Sequence, residues 1–210
     1  MRLYLIPFAL LAAFLALPSK AQTIDVFVRG VAATREGTTH VHGGVATVAL
    51  NSARGVEAGA DVFWSRRIST ELSVSSVHHE LDASAFGENV DLGGTRFMPI
   101  SAILEWHTDP RGAFDVHLGA GAAFVTFGEV TDNAELTLLG VRSIKFHNKV
   151  ALLFDAGAAY RFGPHWAITA DAKLFDIKTK TTATYLDGST EGAKLNVNQL
   201  SLGAGVSYRF

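Results

Sequence analysis

Three small groups of residues in this 210-residue chain carry side chains that could do chemistry. His40 and His42 stand two apart, which places both imidazoles on one side of an extended segment where they could share a metal ion. No carboxylate cluster at ligand spacing accompanies them, so exposed loop histidines are expected there and no metal site is assigned. His78, His79 and Glu80 bring bases next to an acid, but a hydrolase also needs a nucleophile held beside an orienting partner. The chain is accordingly read as no enzyme, with no catalytic residue and no cofactor. Arg29, Arg161 and Arg209 could mark an anion pathway, and salt-bridged filler is the plainer reading.

The elements that must hold these residues repeat with a period of two. In the last segment Leu200, Leu202, Ala204, Val206, Tyr208 and Phe210 alternate with Ser201, Gly203, Gly205, Ser207 and Arg209. Such alternation describes a strand with one dry face and one wet or tightly filled face. The same pattern predicts strands over 24–34, 55–64, 68–77, 97–106, 114–124, 150–162, 166–180 and 199–210, eight in all. Each matches or exceeds the roughly 9–11 residues that a tilted strand needs to cross a bilayer.

Short links (65–67, 107–113 and 163–165) alternate with long ones (35–54, 78–96, 125–148 and 181–198), the asymmetry of outer-membrane barrels. Trp64, Trp106 and Trp166 each fall beside a short link, and Tyr160, Phe162, Tyr208 and Phe210 belong to the same rim. Amphipathic rings favour the level where hydrocarbon meets headgroups, so these seven residues are the expected membrane-interface girdle.

The faces opposite the apolar ones carry Arg29, Glu57, Asp61, Glu71, Ser73, Glu105, Asp115, His117, Asp155, Arg161, Asp171, Lys173, Phe175 and Arg209, the expected lining of a lumen. Acids and bases in similar number suggest mutual pairing there. This arrangement, apolar outside and charged inside, favours a membrane over the alternative of an exported soluble barrel that binds a ligand. In hydrocarbon an open sheet edge costs several kcal/mol for each unsatisfied backbone group, so the sheet must close on itself. The expected fold is an all-β, eight-stranded antiparallel transmembrane β-barrel with short periplasmic turns and longer extracellular loops.

At the N-terminus Arg2, an apolar run over 3–17, Pro18 and the small residues Ser19 and Ala21 read as a signal peptide, 1–21, removed to leave a barrel over 22–210. The destination is the bacterial outer membrane after export to the periplasm, with outer-membrane lipids as the surroundings. A net charge of −2 without basic runs argues against nucleic-acid binding. The absence of cysteine excludes disulfides, thiolate metal sites and a cysteine nucleophile.

Several stretches together resemble the OmpW family of small outer-membrane proteins. They are Met98-Pro99, Trp106 and Gly119-Ala120-Gly121 leading into Thr126-Phe127, then Trp166, Phe175-Asp176-Ile177 and 181–185, and finally the ending 205–210. The terminal Phe210, with Tyr208 two before it, also resembles the signal read by the barrel-assembly machinery. The resemblance implies a narrow channel, lined and constricted by apolar side chains, that admits small, largely apolar molecules and releases them sideways into the membrane. A small apolar ligand is the partner it implies. Here, however, the inward positions of two strands read Glu71, Ser73, Ser75, Thr169, Asp171 and Lys173, with Phe175 and Ile177 near the outer end. A polar constriction suits a second reading, a barrel plugged by its own side chains whose extracellular loops bind a surface, phage or toxin.

Overall fold

A computed structural model describes residues 23–34, 38–41, 46–50, 53–85, 88–128, 130–131 and 141–210. The proposed signal peptide, 1–21, and His42 lie outside the described residues. Eight strands form the wall: β1 (Ile24–Thr34), β4 (Ala53–Phe63), β5 (Ile68–Ala85), β6 (Glu88–His107), β7 (Phe114–Phe127), β10 (Lys149–Arg161), β11 (Trp166–Tyr185) and β12 (Thr190–Arg209). Every neighbouring pair is antiparallel, and pairing of β1 with β12 and of β10 with β11 closes the ring. No described helix is long and apolar enough to cross a membrane, which says nothing of crossing by strands.

Alternation produces the wall's two faces. Along β11, Ala167, Thr169, Asp171, Lys173, Phe175 and Ile177 are buried inside, while Ile168 and Leu174 stand exposed outside. The outer surface is a band of exposed aliphatic and aromatic side chains, among them Val28, Val56, Leu104, Leu118, Phe154 and Val206. Water would make such a surface costly, and hydrocarbon makes it the required one.

Short turns join strands at one end. The two flanking 65–67 and 163–165 are closed by Trp64 N–H donating to the Ile68 carbonyl (2.9 Å) and Phe162 N–H to the Trp166 carbonyl (3.2 Å). The third contains a turn in which Gly112 N–H donates to the Asp109 carbonyl at 3.0 Å.

The links expected to be long loops are where the structure departs from the sequence reading. β5 and β6 run 18 and 20 residues and pair as far as Ala85 with Glu88. β11 and β12, 20 residues each, pair as far as Thr184 with Thr190. Four further strands lie in this region: β2 (Thr38–Val41), β3 (Ala46–Leu50), β8 (Val130–Thr131) and β9 (Val141–Phe146). Beyond the hydrocarbon both faces of a strand meet water, so the apolar alternation that reveals a strand disappears while backbone pairing continues. Thr181, Thr182 and Thr184, β-branched residues suited to a pleated sheet, are the remaining signal in β11.

Candidate functional site: the barrel lumen

Inward side chains sort into three layers. The middle one is built on Arg29 from β1 and Lys173 from β11. Arg29 Nη1 donates to Glu57 Oε1 (3.1 Å), Glu71 Oε2 (2.9 Å) and Asp171 Oδ2 (2.9 Å), and its Nε to Thr169 Oγ1 (3.3 Å). Lys173 Nζ donates to Glu71 Oε1 at 2.7 Å and to Glu57 Oε1. Hydroxyls complete the acceptor count: Ser73 Oγ donates to Glu71 Oε1 and Ser75 Oγ to Glu57 Oε2, both at 2.9 Å. The Arg29 guanidinium also lies 3.7 Å over the Phe27 ring. Both cations are 2% exposed, so this layer is a dry ion-pair network spanning β1, β4, β5 and β11. Dry charges hold together because separating them would strand each one without water.

Toward the short-turn end lies a second layer. Asp25 accepts from Arg209 through both carboxylate oxygens (2.6 and 2.7 Å) and from Arg161 Nη2 (2.8 Å). Both arginines also donate to the Pro110 carbonyl, which ties the turn across the barrel mouth. Across the lumen His107 Nδ1 sits 2.6 Å from Asp115 Oδ2, and His107 Nε2 lies 2.8 Å from Ser69 Oγ. His117 Nε2 approaches Asp155 Oδ2 at 3.1 Å.

Toward the long-loop end the lumen turns apolar. Val31, Val77, Phe97, Val125, Leu153, Phe175 and Ile177 form one buried cluster with Phe146, and Phe127 packs against it. Phe97 meets Phe175 edge-on, with ring centroids 6.0 Å apart, and Phe127 at 5.6 Å.

The wall beside this cluster has an interruption. Rungs between β5 and β6 run up to Val74 with Ile100, are missing for Ser75 and Ser76 opposite Pro99 and Met98, and resume at Val77 with Phe97. In an antiparallel ladder both missing rungs rely on the N–H of residue 99, which proline lacks.

Of the residues read as lining, Glu57, Glu71, Ser73, Glu105, Asp115, His117, Asp155, Asp171, Lys173, Phe175 and Arg29 are buried, and Asp61, Arg161 and Arg209 are half-buried. Among the girdle residues, Trp64, Trp106, Tyr160, Phe162, Trp166 and Phe210 are exposed on the short-turn rim, and Tyr208 is half-covered by His165, Trp166 and Phe210. Acids and bases do pair across the lumen, but they divide unevenly. Arg29 and Lys173 share Glu57, Glu71 and Asp171, and Arg161 and Arg209 share Asp25, while among the described residues Glu105, Asp115 and Asp155 are paired with histidines. Asp25, Phe27 and His107 were not anticipated in the lumen. Their parity with Arg29 and Glu105 was the available signal.

A model of the OmpW family matches residues 17–210. An uncharacterized outer-membrane protein of Sinorhizobium fredii is 26% identical over 155 residues, 73% of this chain and 65% of that protein. Outer membrane protein W of Vibrio cholerae is 25% identical over 121 residues, 56% of this chain and 55% of that protein. In both cases the matched region is less than two thirds of the relative's length. The crystal structure of the outer membrane protein OprG from Pseudomonas aeruginosa superposes with a TM-score of 0.80 at 17% identity, covering 91% of this chain and 97% of that one.

Proposed function

Since the chain belongs to the OmpW family and is an outer-membrane β-barrel, we propose that it admits small, largely apolar solutes from outside and releases them sideways into the bilayer. The observation that carries this reading is the stacking of the apolar outer cluster directly on the dry charge network. A solute reaching Phe97, Phe127, Phe175 and Ile177 gains about 25 cal/mol for each Å² of apolar surface removed from water. Going deeper means parting Arg29 and Lys173 from Glu57 and Glu71, which costs several kcal/mol per stranded ion. The easier exit is through the wall, where the ladder lacks the hydrogen bond that residue 99 would donate and Met98 faces outward at 41% exposure.

On this reading the barrel is a conduit and not an enzyme, and the acids of its middle layer, Glu57, Glu71 and Asp171, serve structure. Phe210, exposed at the end of the closing strand, is read as the handle for the barrel-assembly machinery.

The test is entry of a small apolar fluorophore into intact cells with and without the chain. Phe175→Asp, which places a charge in the apolar cluster, and Pro99→Ala, which supplies the missing N–H, should each slow entry. Lys173→Met should leave entry per folded barrel unchanged, because the solute leaves above that layer. Equal entry with and without the folded barrel would sink the proposal, and slowing by Lys173→Met would move the route into the lumen.

A second reading rests on the length of β5, β6, β11 and β12. Their 18–20 residues are about twice the bilayer requirement, so paired strands stand well clear of the membrane as a surface for a partner. Trimming the β11–β12 hairpin would then abolish attachment of a phage, toxin or surface while fluorophore entry persists.

A further inference from the structure

Two of the acids left without a lysine or arginine, Glu105 and Asp155, converge on one place. Glu105 of β6 and Asp155 of β10 both pair with Gly119 of β7, so two carboxylates flank a residue without a side chain. In the next inward row, toward the periplasm, His107, His117 and Gly157 stand side by side. A Cβ on Gly157 would run into His117 Nε2 and Cε1, and one on Gly119 would lie 2.9 Å from Glu105 Cγ. The two glycines thus make room for the imidazole and the carboxylate to meet. Ligand atoms of Glu105, His117 and Asp155 all lie within 4.8 Å of one another.

We infer that Glu105, His117 and Asp155 form a binding site for a divalent transition-metal ion in the periplasmic half of the lumen. Unused atoms point to it. Glu105 Oε2 is tied down by Ser69 Oγ at 2.9 Å, whereas Oε1 accepts no hydrogen bond. Both Asp155 oxygens and His117 Nε2 are buried, and none makes an aligned hydrogen bond despite the 3.1 Å approach of Nε2 to Oδ2. Buried polar atoms of this kind are normally satisfied, and three residues that carry them, meeting at one place, indicate a common ligand.

That ligand is a cation. Lys173, cross-strand from Asp155, turns its Nζ to Glu57 and Glu71 instead. His107 is occupied at both ring nitrogens, by Asp115 and Ser69, so it stands behind the site rather than in it. One imidazole and two carboxylates suit zinc or a neighbouring divalent ion, at ligand distances of about 2.0–2.2 Å that modest side-chain rotation would reach. Magnesium and calcium prefer all-oxygen surroundings. The Ser69 hydroxyl is a positioning group that aims Glu105.

The full mature chain, folded in detergent micelles and stripped by chelator, would be titrated with zinc and with cobalt. One zinc per chain is expected, and cobalt should develop the visible absorption of a low-coordinate site. Asp155→Asn and His117→Gln should each abolish both signals, with heat-modifiable gel mobility confirming a folded barrel. Glu105→Gln supplies a third variant should either fail to fold. Ser69→Ala should weaken binding roughly 10–100-fold, as losing an outer-sphere hydrogen bond does. His147→Ala and His165→Ala, which remove exposed imidazoles, should change nothing. Absence of bound zinc, which would mean the cluster holds protons only, overturns the inference. So does binding that survives the ligand substitutions or vanishes with the exposed histidines.

Discussion

Asp25 and Arg209 face each other across the seam between the first and last strands of the barrel, joined by two hydrogen bonds of 2.6 and 2.7 Å. The pair fastens the place where the ring closes on itself, and Arg161 adds a third hydrogen bond to the same carboxylate at 2.8 Å. Asp25→Asn would leave two guanidinium groups without their counter-charge at a rim that water partly reaches. The expected loss is of order 3 kcal/mol, the lower end of the range for a buried pair deprived of one partner. Urea unfolding in phospholipid vesicles measures it. A change under about 0.5 kcal/mol, typical of surface substitutions, would show that solvent already carries these charges.

The middle network should respond more strongly. Lys173→Met leaves Glu57 and Glu71 facing each other with only Arg29 between them, and should cost about 3–5 kcal/mol. Adding Glu71→Leu should recover much of that loss, because two desolvated ions are then replaced by apolar groups of similar volume. Comparing the unfolding midpoints of the single and double variants decides it. A double variant no more stable than the single one would mean that Glu71 is held chiefly by Arg29 and Ser73.

Trp64, Trp106 and Trp166, 44–48% exposed on one rim, should report the depth of that rim. In vesicles of brominated lipid, bromine near the headgroups should quench tryptophan emission more than bromine near the chain ends, since the indoles belong at the interface. Stronger quenching by deep bromines would place the rim inside the hydrocarbon and remove the girdle.

What was legible in the sequence follows from where hydrocarbon lies. Within the bilayer an inward lysine and an outward leucine cannot exchange faces, so Lys173 and Leu174 declare their sides, and a period of two recovers the spanning part of each wall strand. Above the bilayer that constraint ends, and the paired stretches 78–85, 88–96 and 190–198 read as loop. Partner choice within the lumen is a different matter. Arg29 meets Glu57 on an adjacent strand and Asp171 on a strand two places away, and only the stagger of strands around a closed ring brings both within reach. Composition suggested mutual pairing of acids and bases without saying which would meet. The stagger gathers Glu105, Asp115 and Asp155 around two histidines.

Two wall glycines, Gly121 and Gly205, should prove far less replaceable than Gly163 in a turn. A Cβ on Gly205 would collide with the Val28 carbonyl and lie 2.6 Å from Arg29 Cα, and one on Gly121 would strike the Ala102 carbonyl and lie 2.7 Å from Ile103 Cα. The obstacles are backbone atoms of the adjacent strand, which cannot rotate aside as a side chain can. Gly121→Ala and Gly205→Ala should therefore each cost about 1–3 kcal/mol by overpacking, and Gly205→Ala should also disturb the seam that closes the barrel. At Gly163, in a short turn, a Cβ would meet nothing within 4 Å, so Gly163→Ala should be nearly neutral. Urea midpoints and the yield of heat-modifiable folded barrel separate the two outcomes. If Gly121→Ala and Gly163→Ala behaved alike, β7 would have to have slack against β6, and close approach at that glycine would not shape the wall.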